Sequence, residues 1–188
     1  MEIETLFSIP VLKHSVSEKI ADKVEEYFLT IKDRIPFGYD QYSDFFIPAK
    51  LFDFEAVPEL RLEIESAKAT FTEVTAISSM NAELQHYWVQ DYSSEGLQQG
   101  RHAHGINGVS GVYWIRANES AGTFCLHNPN SINAYCEKTP QKETPFVYDE
   151  YHYKPKKGSL IMFASYLHHE VLPSGPNAIR SSLAFNFP

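Results

Sequence analysis

Cysteine is scarce in this chain: Cys125 and Cys136 are the only two in 188 residues, and they form no CxxC pair and no zinc-ligand set. A bridge between them stays open, but in a protein without an export signal reduced, packed thiols are the expectation. Long apolar runs are missing, so no stretch approaches the length of a membrane span. Basic charge is also short, with 16 Lys and Arg against 24 Asp and Glu and a net charge of −8, which argues against nucleic acid or an anionic membrane as partner. The one basic cluster, Lys154, Lys156 and Lys157, is interrupted by Pro155 and bounded by Gly158, the composition of a solvated turn. Glu2 and Glu4 stand where an export signal needs basic residues, so the expectation is a cytoplasmic protein.

What is present is an ordinary globular balance, 43% apolar and 21% charged, with a raised aromatic share of 14% that suits strands and pocket walls. The length fits one domain with a real core, here expected to span 1–188. Ser15 and Glu18 have capping-box spacing, and Ile20, Val24, Phe28 and Ile31 follow at helical steps. A second helix is predicted from Pro58, with Leu60, Ile64, Ala67, Phe71 and Val74 on one face. These helices make a supporting half over about 15–75. The aromatic-rich segment 37–54 between them has no clear period and reads as a structured loop.

From 81 to 187 short β-type segments alternate with turns. Strands are expected over 84–92, 109–116, 122–127, 146–153, 159–163, 166–172 and 180–187. Many short strands with Gly and Pro turns suggest a sandwich, barrel or jelly roll. In the last strand, alternation sets Arg180, Ser182, Ala184 and Asn186 on one face and Ser181, Leu183, Phe185 and Phe187 on the other. The polar face meets water in most sheets; under covering helices it lines a pocket instead. Alternation alone leaves both open, and the histidines favour the pocket.

Eight histidines occur. His14 and His86 read as surface or sheet residues, and His152, between Tyr151 and Tyr153, as an aromatic-like strand residue. His102-Ala103-His104 differs, because residues two apart in an extended segment project to one side and can reach one metal ion. His168-His169 adds an imidazole in a later strand. Arg180 follows across the turn Pro173-Ser174-Gly175-Pro176.

This order resembles the Fe(II)/2-oxoglutarate oxygenase superfamily: H-x-H, then His169-Glu170-Val171, then Arg180-Ser181-Ser182 in the last strand. Within it the chain is similar to the prolyl-4-hydroxylase-like branch and its bacterial and phage relatives. Ser110-Gly111-Val112-Tyr113-Trp114-Ile115, Gly158-Ser159-Leu160-Ile161-Met162-Phe163 and Leu6-Phe7-Ser8-Ile9-Pro10-Val11 resemble strands of that branch. The resemblance implies a mainly β fold, a double-stranded β-helix (jelly-roll) barrel covered by two N-terminal helices. It implies Fe(II) held by His102, His104 and His169, with 2-oxoglutarate as cosubstrate and O2 and a small-molecule or peptide substrate as the other reactants. Arg180 falls where the branch holds the far carboxylate, a task suited to a planar guanidinium. Ser182 lies on the same face, and Tyr92 matches a tyrosine bordering the cosubstrate. His168, its side chain turned the other way, is the structural member of its pair.

Two features depart from the pattern. His104 stands where the superfamily has Asp or Glu, and Trp114 replaces a frequent tyrosine. Two rival readings therefore stand beside the first: a cupin-like three-histidine dioxygenase without 2-oxoglutarate, and a non-enzymatic metal-binding barrel. The oligomeric state and the substrate are not encoded in these motifs.

Overall fold

The structure, a computed structural model, describes residues 8–38, 41–76, 84, 86–105, 108–130 and 149–188. Among them are strands β1 (Val11–Ser15), β2 (Phe37–Gly38), β3 (Gln41–Ser43), β4 (His86–Asp91), β5 (Gln99–His102) and β6 (Val109–Ala117). The remaining strands are β7 (Phe124–His127), β8 (Glu150–Tyr153), β9 (Ser159–Ala164), β10 (His169–Val171) and β11 (Arg180–Phe187). The helices are α1 (Glu18–Ile31) and α2 (Pro58–Thr75). A large sheet runs in the order β1-β9-β6-β11-β4-β3-β2 and a small one in the order β5-β10-β7-β8, every pairing antiparallel. This is the expected mainly β architecture with two helices. The described strands form two facing sheets, with no closed ring of pairings among them.

Each face of the large sheet buries a different set of residues. Val24, Phe28 and Ile31 of α1 and Leu60, Ile64, Ala67 and Phe71 of α2 pack on Val109, Tyr113, Leu160, Met162, Leu183, Phe185 and Phe187. The opposite face, with Val112, Trp114, Ile161 and Phe163, packs on Phe124, Leu126 and Val171 of the small sheet. Alternation along β11 therefore sends Leu183, Phe185 and Phe187 to the helices and Arg180, Ala184 and Asn186 to the cleft between the sheets. Gly111 is required for this packing, since a Cβ there would lie 2.4 Å from the Phe185 ring.

Several expectations need correction. The cap of α1 is Ser17, whose hydroxyl accepts from the Ile20 N–H at 3.4 Å; Ser15 is committed to β1, opposite Ser159. Val74 is 78% exposed, in the last turn of α2, which ends one residue later. The segment 37–54 begins with the paired strands β2 and β3 rather than as loop throughout. The strand expected over 166–172 contracts to β10, since the Leu167 N–H closes a turn on the Ala164 carbonyl. Residues 1–7, 146–148 and Cys136 lie outside the described residues. Cys125 is free and buried.

Candidate active site

Three histidines meet between the sheets. His102 ends β5 and is the cross-strand neighbour of His169 on β10, with ring centroids 4.3 Å apart. His104 lies just past β5, tied by its N–H to the Ser165 carbonyl at 3.0 Å. Its ring centroid is 5.1 Å from that of His102 and 4.9 Å from that of His169. One ring nitrogen from each of the three falls within 4.8 Å of the others, a grouping that can hold a metal ion. His168, by contrast, is exposed, and its carbonyl accepts from the His127 N–H.

The surroundings dictate which nitrogen each ring offers. Nδ1–H of His102 donates to the Gly100 carbonyl at 2.8 Å and Nδ1–H of His169 to the Leu167 carbonyl at 2.9 Å, leaving a lone pair on each Nε2, that of His102 facing the Gln99 amide nitrogen at 3.4 Å. Nδ1 of His104 lies 2.7 Å from the Asn186 amide, which reaches Ser110 Oγ at 2.8 Å, and that hydroxyl reaches Ser165 Oγ at 2.8 Å. Nε2 of His104 is buried without a partner. It carries a lone pair only if Nδ1–H donates to the Asn186 oxygen, with the amide NH2 turned towards Ser110. Trp88 stacks on the ring of His104 from the other side, 5.8 Å between centroids.

Burial keeps all three imidazoles neutral, with the positive charge of neighbouring histidines a further cause. The pKa of His102 is lowered from 6.5, that of His104 falls to about 4 and that of His169 to about 3. Neutral imidazole is the form that binds metal.

Arg180 lines the same cleft, of about 350 Å³, as the three histidines. It is 1% exposed, and Nε and Nη1 have no hydrogen-bond partner. Its guanidinium stacks on Tyr92, 4.5 Å from the ring centroid. The nearby Asp91 carboxylate is already occupied, accepting from the Ser181 hydroxyl at 2.8 Å and the Ser93 N–H at 2.8 Å. Burial lowers the pKa of Arg180 to about 10, which still leaves it charged at neutral pH. An unpaired buried charge costs several kcal/mol, so this arrangement suits an anionic ligand. Two more orphaned buried donors lie on neighbouring strands of the same sheet: Ser182 Oγ and, on its cross-strand partner, Trp114 Nε1. The residues present thus fit both groups implied by the motifs, three neutral imidazoles for Fe(II) and a buried cation with neutral donors for a dicarboxylate.

Tyr92 is fully buried, and burial raises the pKa of its hydroxyl. That hydroxyl donates to Gln99 Oε1 at 2.8 Å and contacts Gln41 Oε1, while Gln90 Nε2 donates to the same two oxygens at 3.1 and 3.2 Å. Sequence reasoning missed this glutamine network and also Trp88. Phe45, Phe46 and Asn186 border a wider depression of about 1030 Å³ that shares Trp88, His102 and His104 with the cleft. Segment 37–54 can either plug the gap behind the sheet or bring Tyr39, Tyr42 and Asp44 to this mouth, and Tyr42 and Asp44 are not among the residues that line it. Asp44 is buried, accepting from the Val89 N–H at 2.8 Å and the Leu51 N–H at 2.7 Å. Tyr42 packs edge-on against Phe37, and Tyr39 lies outside the described residues.

Residues 86–186 match the family described as "Putative 2OG-Fe(II) oxygenase". That span exceeds half of the chain, and the chain belongs to this family of 2-oxoglutarate- and Fe(II)-dependent oxygenases. Among solved structures it is similar to a prolyl-4-hydroxylase from Pseudomonas putida, at 15% identity and TM-score 0.60, covering 97% of this chain and 95% of that one. It is also similar to a prolyl hydroxylase from Trichoplax adhaerens in complex with a hypoxia inducible factor peptide fragment, at 13% identity and TM-score 0.60, covering 95% and 83%. The non-haem epimerase SnoN from nogalamycin biosynthesis matches at 8% identity and TM-score 0.66, covering 95% and 78%. These likenesses show the fold. A search of curated proteins returns no match. Among the described residues no helix is long and apolar enough to cross a membrane.

Proposed function

We propose that the chain, acting as a single domain over 1–188, hydroxylates a C–H bond of a small-molecule or peptide substrate. In this reading Nε2 of His102, His104 and His169 hold Fe(II), and Arg180 with Ser182 receives the far carboxylate of 2-oxoglutarate beside Tyr92. Fe(II) with 2-oxoglutarate and O2 supplies, when bound, an oxidant strong enough for an unactivated C–H bond. The protein contributes position and exclusion. The Gly100 and Leu167 carbonyls fix two imidazoles, Asn186 fixes the third, and Phe124, Phe163 and Trp88 wall the cleft against water. No side chain is required as a general base.

The observation that carries this reading is the buried guanidinium of Arg180, its Nε and Nη1 without partners, in one cleft with three neutral histidines. A cupin-like dioxygenase without 2-oxoglutarate, or a barrel that merely stores metal, leaves that charge without purpose. The choice of substrate is open to the mouth: Phe45, Phe46 and Trp88 offer an apolar rim, and the similar folds serve both hydroxylation and epimerisation. A reducing cytoplasmic setting suits Fe(II) and the free thiol of Cys125.

Anaerobic Fe(II) and 2-oxoglutarate together should produce a weak visible charge-transfer band in the wild type and in His168→Ala. It should vanish in His102→Ala, His104→Ala and His169→Ala. A band that survives in His169→Ala and is lost in His168→Ala would overturn the ligand set. Succinate release in a substrate screen then identifies the third reactant.

A further inference from the structure

A second group of metal-binding side chains lies on the opposite face of the small sheet. On β7, Phe124 and Leu126 pack inward, so Cys125 and His127 project to the other side. On β10, His169 turns inward and Glu170 outward. On β8, His152 is the cross-strand partner of Cys125 and Glu150 that of His127. Register alone thus brings five donors from three strands onto one face.

Their distances are those of a site rather than a scatter. Cys125 Sγ lies 3.9 Å from His127 Nε2, and His127 Nε2 lies 2.8 Å from Glu170 Oε1. His127 Nδ1 lies 3.7 Å from Glu150 Oε2. One donor atom each from Cys125, His127, Glu150 and Glu170 falls within 4.8 Å of all the others. Around tetrahedral zinc, bonds of about 2.0–2.3 Å place ligand atoms roughly 3.3–3.8 Å apart, so closure needs shifts of about an ångström or less. His152 Nε2–H donates to Glu150 Oε1 at 2.8 Å, holding that carboxylate in orientation.

We propose that Cys125, His127, Glu150 and Glu170 form a second metal site, specific for a zinc-class divalent ion. Sulfur, nitrogen and oxygen donors in a four-ligand set match zinc, whereas the three-imidazole set across the sheet suits Fe(II). The ion replaces the Cys125 thiol proton, which is released to solvent, and the neutral His127 ring binds it through Nε2 with its own proton on Nδ1. It ties β8, β7 and β10 together behind His169, and so stiffens the strand that carries the distal histidine.

Cobalt(II) separates the two sites, because only this one offers a thiolate. Titrating metal-free, reduced protein with Co(II) should show two equivalents bound and a near-ultraviolet thiolate-to-cobalt charge-transfer band. The band should persist in His169→Ala and in Cys136→Ser, and disappear in Cys125→Ser. Glu170→Gln, which keeps the thiol and the shape, should weaken Co(II) binding at this site at least tenfold and serves if Cys125→Ser does not fold. A single equivalent without the band would mean that the cluster is only an ion-pair network, and would overturn the proposal. So would a band that survives Cys125→Ser and is lost in Cys136→Ser.

Discussion

The two sides of the large sheet are built on opposite rules. Towards the helices, Val24, Phe28, Phe52, Leu60, Ile64, Leu183, Phe185 and Phe187 make an apolar core whose fully buried side chains interdigitate. Towards the small sheet, the residues are mixed, and polar atoms are left unsatisfied. Among the described residues five have buried, unpartnered polar side-chain atoms; four (His104, Trp114, Arg180 and Ser182) belong to the cleft side and one, Tyr113, faces the helices. Proteins satisfy buried polar groups almost everywhere, so such a concentration marks the place where a ligand completes the structure. On the proposed function, stability is stored on one side and activity on the other.

The sharpest way to break that comparison is to truncate one residue on each side. Phe52→Ala on the helix side should cost about 3–5 kcal/mol of stability while leaving iron stoichiometry unchanged in the folded fraction. Arg180→Ala should leave the melting temperature unchanged or higher, since an unpaired buried charge is removed. Its cosubstrate affinity should fall by about 2–5 kcal/mol, roughly 30- to several-thousand-fold. Denaturant melts and 2-oxoglutarate titrations in the presence of Fe(II) read both quantities. If Arg180→Ala destabilises as Phe52→Ala does and binds cosubstrate normally, the guanidinium is a structural residue and the division fails.

Asn186 tests the same division inside a single strand. It shares β11 with Phe185 and Phe187 but turns to His104, where its amide, with the oxygen facing the ring, would select the Nδ1–H tautomer. Asn186→Leu should weaken Fe(II) binding by about 10- to 100-fold, the usual range for lost orienting partners. Asn186→Asp retains an acceptor for Nδ1–H and should restore most of it. Isothermal titration with Fe(II) under anaerobic conditions distinguishes the two; equal affinity in both variants would mean that the tautomer is set elsewhere.

Acid provides a third test. Burial depresses the pKa of His102, His104 and His169, the last two to about 4 and about 3 from 6.5. In the unfolded chain these groups take up protons below about pH 6.5, whereas the fold keeps them neutral, so protonation favours unfolding. Metal-free protein should therefore hold level stability above about pH 6.5 and lose it as the pH falls towards about 4. The slope should be shallower in a His102→Gln, His169→Gln double variant. An identical urea-midpoint profile for the two proteins would show that the histidines are not held neutral by the fold.

The sequence made part of this division legible. Helical period identified most of the buried residues of both helices, though it missed Ala21 and wrongly included Val74, and alternation separated the two faces of β11. The motif order singled out His102, His104, His169 and Arg180, which lie around one cleft. Other features left weaker traces. Phe45, Phe46, Phe52 and Phe54 are alike as residue types, yet Phe52 and Phe54 plug the helix side while Phe45 and Phe46 rim the cleft, because the Asp44 turn sends the chain across the edge of the sheet. Strands β2, β3 and β5 are two to four residues long, too short to display a period. The cluster around Cys125 depends on cross-strand register between residues far apart in sequence, and no local spacing announces it.

Ser182 gives the smallest effect and the cleanest contrast. It is fully buried on the cleft side of β11, and its hydroxyl has no partner. Removing an unpaired hydroxyl takes away a desolvation cost and leaves a hole too small to matter, so Ser182→Ala should be neutral or slightly stabilising in the metal-free protein. If the hydroxyl donates to the far carboxylate of 2-oxoglutarate, the same change removes one hydrogen bond to a charged group. That is worth about 1.5–3 kcal/mol at most, and less where Arg180 already carries the charge, so the apparent KM for 2-oxoglutarate should rise several-fold to about a hundredfold at unchanged iron affinity. Ser181, the next residue, is the built-in control. Its hydroxyl donates to Asp91 at 2.8 Å, so Ser181→Ala leaves that carboxylate with one donor fewer and should lower stability with little change in KM. Should Ser182→Ala instead destabilise while Ser181→Ala alters KM, the assignment of the two faces of β11 would be reversed, and with it the placing of function between the sheets.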